Sequence, residues 1–186
     1  ELHYAHGYLA HEFYSPLANQ RTDNYGGNFD NRIRFLVETF TAVRNVWPGR
    51  LPLTVRLSVT DWIEGGVTIE ESVELVRRLK ASGLDLLDVS HGSITPDISK
   101  VPFGPGFMIP AASRIRRESG IPTAVGWMIM EPEQAEEAVR DQHTDLVVLA
   151  REMLRDPYWP YHAAVKLGVE QASGILPIQY ARAVKQ

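Results

Sequence analysis

A strand-then-helix unit recurs along this chain, and that alternation limits the fold more than any other feature. Leu53-Thr54-Val55-Arg56-Leu57, Leu84-Asp85-Leu86-Leu87-Asp88-Val89, Pro122-Thr123-Ala124-Val125 and Leu146-Val147-Val148-Leu149 are short aliphatic runs of buried-strand type. A helix signal follows each. Thr68-Ile69-Glu70-Glu71 is a capping box ahead of Ile69, Val73, Val76 and Leu79 at helical spacing, with Gly83 as the glycine beyond the helix end. Pro110 and Pro132 stand where a first-turn proline starts a helix, and Glu152-Met153-Leu154 opens a short one. Earlier, Asp30 is the expected cap of a helix whose Ile33, Leu36, Val37, Phe40 and Val43 share one face before Pro48-Gly49 stops it.

Strand, helix, strand with short connections means a parallel sheet covered by helices. A doubly wound sheet closes on about five strands, whereas a complete barrel needs roughly 200 residues or more. At 186 residues, length alone favours the doubly wound sheet. The polar residues favour the barrel. Tyr8, Arg56, His91, Gly126 and Arg151 end or follow five successive strands, the first of which runs out after His3, and barrel active sites are assembled from such C-terminal strand ends. The expected fold is α/β, a (β/α)8 TIM barrel. Residues 1–186 would supply roughly strands 4 to 8 with their helices, the C-terminal half of a single domain whose strands 1 to 3 lie outside the chain.

With 44% hydrophobic and 23% charged residues, the composition suits one globular core. A formal charge of −4 and a pI near 5.9 provide no basic field for nucleic acid. No apolar run reaches the length of a membrane span. Cysteine is absent, so disulfides and cysteine-ligated zinc or iron–sulfur clusters cannot be built from this chain alone, and a reducing cytoplasm is the expected compartment.

The candidate chemistry begins at His3-Tyr4-Ala5-His6-Gly7-Tyr8, two imidazoles and a phenol at a strand end. On an extended segment His3 and His6 point to opposite faces, but a turn at Gly7 lets both imidazoles face one pocket, where they can bind an anionic oxygen. Two histidines satisfied at a strand end is the plainer alternative; a metal site with His11 and Glu12 lacks the spacing of a helical His-Glu-x-x-His motif, and no metal is expected. Arg56 ends an apolar strand, where it either pairs with Asp61, Glu64 or Asp88 or meets a ligand. Ala150-Arg151 follows the last strand, and with Gly126 it falls in the units after strands seven and eight, the usual phosphate site of barrels. His91-Gly92-Ser93 either lines the same mouth or is a plain turn. The polar loop from Asn19 to Asp30 is a lid or a packed rim segment.

Several stretches resemble the old yellow enzyme family of flavin oxidoreductases: His3 to Leu9, Phe13 to Gly27, Asn31-Arg32, Val55-Arg56, Ala124-Val125-Gly126, Ala150 to Pro157 and Pro177 to Arg182. The details look most like bacterial NADPH dehydrogenases and xenobiotic reductases of the thermophilic-like class. The resemblance implies an FMN-dependent barrel enzyme reduced by NADPH and acting on small enones or nitro compounds. It implies that His3 and His6 bind the substrate oxygen and Tyr8 supplies a proton. Arg56 would lie by the polar edge of the flavin, and Gly126, Ala150 and Arg151 would hold its phosphate. It further implies a homo-oligomer, a dimer or tetramer, with Arg182 reaching a partner's site to touch substrate. A half-barrel that needs a complementary half for flavin binding is the alternative; a related dienoyl reductase with an iron–sulfur linker would need cysteines elsewhere. The chain departs from the family pattern in having alanine at position 150 where glycine is usual, and in a Trp127-Met128-Ile129-Met130 stretch one residue longer.

Overall fold

A computed structural model describes residues 1–184. Strands β1 (Leu2–Tyr4), β2 (Thr54–Ser58), β3 (Leu86–Ser90), β4 (Thr123–Val125) and β5 (Leu146–Val147) form one parallel sheet in the order β1-β2-β3-β4-β5. That order separates the two architectures. A doubly wound sheet reverses its strand order at a switch point, whereas here every strand is added on the same side of its predecessor. Right-handed crossovers then place all the helices on one face. The chain is a run of consecutive units of a (β/α)8 barrel, with helices outside.

The helices are α1 (Leu9–Tyr14), α2 (Phe29–Val46), α3 (Ile69–Ala81), α4 (Ile109–Ser119), α5 (Pro132–Arg140), α6 (Arg151–Arg155), α7 (Trp159–Lys166) and α8 (Ile178–Val184), with a 3₁₀ turn at Ala172–Ile175. Among the described residues no helix is long and apolar enough to cross a membrane. Register sorts the strand residues by face. Val55 pairs with Leu87 and Leu57 with Val89, and all four are fully buried in one cluster with Leu36, Phe40 and Leu75 from the helices. The alternate row, His3, Arg56, Asp88 and Ala124, faces inward, because strand side chains alternate with period two. The polar row is thus the barrel's inner surface.

Local signals hold with small shifts. Thr68 caps α3 by accepting from the Glu71 amide, and Gly83 follows that helix at φ +96°. Asn28, rather than Asp30, caps α2: its Oδ1 accepts from the Asn31 amide at 3.0 Å. Asp30 lies inside the first turn and pairs with Arg78 at 2.7 Å. The helix starts earlier than its apolar stripe, so the cap precedes the first buried position by more than one turn. Pro48 then pushes Trp47 to extended backbone and ends α2 at Val46. Leu84 and Asp85 stay outside β3 because the Asp85 carboxylate accepts from the Leu53 amide at 2.7 Å. β5 has two residues instead of the expected four, at a sheet edge where Leu146 and Val148 are 54% and 37% exposed.

Candidate active site

The segment after β1 turns sharply. His6 and Gly7 both adopt left-handed backbone, φ +63° and +73°, a conformation that costs a non-glycine residue roughly 1–2 kcal/mol. The turn is wedged in place: a Cβ on Gly7 would come within 2.2 Å of the Ser93 carbonyl oxygen, and the His6 amide donates to Ser58 Oγ at 3.1 Å. The turn begins one residue earlier than the glycine indicated, and it brings the rings together. His3 and His6 lie 5.1 Å apart between centroids, and Tyr8 sits 5.6 Å from His3. Tyr8 is 66% exposed at the mouth.

Hydrogen bonding anchors the His6 ring. Trp127 Nε1 can only donate, and it points at Ser90 Oγ at 3.0 Å. Ser90 Oγ also meets His6 Nε2 at 2.5 Å; with the Ser90 hydroxyl as donor in that bond, Nδ1–H is left free. Burial first, then the nearby charges of Arg56 and the other histidines, lower the His6 pKa to about 4. The imidazole is neutral at pH 7 and presents one N–H.

Arg56, Gly126, Ala150 and Arg151 all line one cleft of about 450 Å³, together with Trp127, Met128 and Phe103. Of the three acids considered for Arg56, the structure chooses Asp88: Arg56 Nε lies 3.2 Å from Asp88 Oδ2. The approach lacks hydrogen-bond geometry, so the buried Nε remains without a partner among the described residues. Asp88 is itself pushed up to about 6 by burial, against the pull of Arg56. At Gly126 a Cβ would meet the Val148 carbonyl oxygen at 2.8 Å, so the strands approach too closely for a side chain. Ala150 lies at φ −120°, ψ −75°, outside the left-handed region that favours glycine. Beyond Gly126, Trp127 and Met128 are two successive left-handed residues, at φ +66° and +57°.

Arg182 lies exposed on α8, away from this cleft's lining. Loop 19–30 is tied down: the buried Asn19 side chain donates to the Phe13 and Tyr25 carbonyls at 2.6 and 2.7 Å. His11 binds no metal partner in this geometry, since Asp61 and the Gly7 amide occupy both its nitrogens.

His91 is more than a turn residue. It is 5% exposed, with both ring nitrogens lacking a partner among the described residues, and burial lowers its pKa to about 4. Its ring lies 4.4 Å from Trp127 and 5.0 Å from Phe107, and it lines a second cavity of about 420 Å³ that shares Phe103 and Trp127 with the first. Ser58 and Ser90 were not singled out from sequence, and Trp127 was marked only as part of the Trp127–Met130 stretch. The signal was there: serines ending apolar strands occupy the same inward row as Arg56.

A family model matches residues 1–170, described as the NADH:flavin oxidoreductase / NADH oxidase family. The chain belongs to this family. Its relatives include an NADPH dehydrogenase of Geobacillus thermodenitrificans, 48% identical over 182 residues that cover 98% of this chain and 52% of the relative. Another, of Listeria welshimeri, is 44% identical over 185 residues, 100% of this chain and 53% of the relative. The chain thus spans about half the length of the curated relatives it matches. Among solved structures, a 2-naphthoyl-CoA reductase complex superposes with a TM-score of 0.79 at 31% identity, covering 91% of this chain and 26% of that one. Morphinone reductase in complex with tetrahydroNAD superposes at 0.69 with 22% identity, covering 88% and 42%, and shares the fold.

Proposed function

We propose that this chain carries the substrate-oxygen and cofactor-phosphate side of an FMN-dependent ene-reductase that uses NADPH. The observation that carries the reading is convergence: the four residues assigned to the cofactor line one cleft, and Trp127 links its wall to His6 through Ser90. The residues fit a flavin. Arg56 offers a buried guanidinium N–H without a partner, suited to the polar edge of the ring system. Arg151 stands exposed at the cleft lip, suited to a phosphate. When bound, FMN would supply the hydride that reaches the β-carbon of an activated alkene.

The chain's own residues do the rest. His6 donates through Nδ1–H, and His3 adds a second donor to the same substrate oxygen. Charge developing on that oxygen is stabilised by about 3 to 4 kcal/mol per well-placed donor. Tyr8 gives its phenolic proton to the α-carbon as general acid. Replacing both His3 and His6 by alanine is expected to abolish enone reduction while the protein still binds FMN. Retained enone reduction would defeat the assignment.

A second reading concerns assembly. β1 and β5 each have one hydrogen-bonded neighbour in the sheet, and the Leu146 and Val148 side chains are open to solvent. We propose that flavin binding needs further strands, supplied by the N-terminal half of the same domain. Flavin absorbance in the purified chain, with and without a polypeptide carrying that half, tests this; full FMN affinity in the isolated chain would sink it. Ile178 and Tyr180, 82% and 56% exposed on α8, support a tail that packs on a neighbouring subunit and carries Arg182 to its site. Truncation after Pro177 is then expected to weaken both dimerisation and substrate binding, and a fully active truncated monomer would rule the arrangement out.

A further inference from the structure

His11 lies at the heart of a buried network that the oxygen-binding residues do not themselves explain. Its side chain and that of Asp61 are both 0% exposed, with Nε2 and Oδ1 3.0 Å apart. The Gly7 amide donates to His11 Nδ1 at 3.0 Å. A backbone N–H can only donate, so Nδ1 is bare and the single ring proton sits on Nε2, where it goes to Asp61. The second Asp61 oxygen accepts from Ser15 Oγ at 2.7 Å and from the Val67 amide at 2.8 Å. Burial alone would raise the Asp61 pKa, yet the hydrogen bonds from His11, Val67 and Ser15 outweigh it and hold the pKa below the usual carboxylate value. Every polar atom of the pair has a role, and the pair ends on one target, the Gly7 amide.

That target is the hinge of the site. On an extended strand His3 and His6 would face opposite ways; with His6 and Gly7 in left-handed backbone the rings lie 5.1 Å apart. A left-handed histidine persists only where its surroundings fix it. Ser93 presses on Gly7 from one side and Ser58 holds the His6 amide from another; the Gly7 amide is fixed from below by His11.

We infer that His11 and Asp61 are positioning residues: a buried carboxylate–imidazole pair that sets the turn on which the oxygen-binding histidines are mounted. The inference rests on the proposed role of His3 and His6. His11 touches no reacting atom, so its effect travels through Gly7 to His6. It should appear in kcat for the alkene and leave cofactor binding alone.

The test uses the flavin-loaded protein and two substitutions of similar bulk. His11→Leu removes the acceptor, whereas His11→Gln offers an amide oxygen to Gly7 and an N–H to Asp61. The expected result is a fall of 10²-fold or more in kcat for enone reduction with His11→Leu, and recovery to within tenfold of wild type with His11→Gln, at equal FMN affinity. Nitrogen-15 spectra should show His11 as the Nε2–H tautomer, and the Gly7 amide should exchange slowly in wild type and His11→Gln but fast in His11→Leu. Wild-type turnover in a folded His11→Leu protein overturns the inference, as does unchanged Gly7 protection in that variant. If the leucine variant does not fold, His11→Gln carries the test alone: protection and turnover both kept support the pair, and turnover lost with protection kept overturns it. Undiminished enone reduction by the His3/His6 double variant, with Gly7 exposed in His11→Leu, overturns the functional reading while leaving the hydrogen-bonded pair intact.

Discussion

The two ends of the sheet are built differently. At β1 the turn at His6-Gly7 is held by the buried Ser58 and the buried His11–Asp61 pair, with the Ser93 carbonyl close against Gly7. At β5 the strand is two residues long, α6 has five, and Arg151 is exposed. A proton donor or oxyanion donor must be placed to within a fraction of an ångström, and that precision comes from rigid, buried support. A phosphate is held by charge over a wider range of positions, so an exposed arginine suffices. Rigidity is concentrated where bonds would change.

The largest effect that would sharpen this contrast is expected at the β1 end. Tyr8→Phe removes one hydroxyl from a residue 66% exposed, so folding should be untouched. If the ring delivers a proton, alkene reduction should slow by about 10²- to 10⁴-fold. Quinone reduction, which needs no protonation at carbon, should change little. Equal losses with both oxidants in stopped-flow measurements would break the assignment and give Tyr8 a positioning role.

At the β5 end the expected effect is smaller and of another kind. Arg151→Ala should weaken FMN binding by about 10- to 100-fold, the scale of a hydrogen bond to a charged group. Enone turnover at saturating FMN should stay near wild type, because nothing at the His6 turn depends on α6. A fall in turnover with unchanged FMN affinity would show that the two ends are mechanically coupled.

The contrast also explains what the sequence revealed. Helix α3 was legible because its capping box and apolar spacing are local, and His91 and Gly126 were legible because they follow aliphatic runs, whereas Arg56, read as a strand end, lies in the middle of β2 (Thr54–Ser58). The left-handed conformation of His6 was not legible. Glycine at position 7 marks a turn, but the partners that allow a histidine to share it lie 52 and 50 residues away from their contacts, at Ser58 and in Asp61's bond to His11. His11 was weighed for metal because a single sequence does not show Asp61 beside it. The two-residue length of β5 was equally hidden, since Val148 and Leu149 have strand propensity, and the Val148 amide still donates to the Val125 carbonyl beyond the strand's end.

The smallest effect lies between the two ends, at Asp88. Burial raises its pKa from 3.8 to about 6, with Glu1 adding to the rise and Arg56 opposing it. A folded-state pKa above the unfolded value means that the folded protein prefers the protonated acid. Asp88 therefore contributes stability below about pH 4, and that contribution is lost as pH rises to 6. Asp88→Asn imitates the protonated form and should match wild type near pH 4. At pH 8 it should be more stable, by up to roughly the 3 kcal/mol that two pKa units represent, a figure in which the opposing pull of Arg56 is already counted. Denaturant melts of both proteins at the two pH values measure it. A stability difference that does not change with pH would mean that Asp88 is ionised at little cost, with Arg56 a full partner and its guanidinium no longer available to the cleft. The inner row would then be a structural ion pair in the middle of the sheet, and the cofactor reading of Arg56 would fall with it.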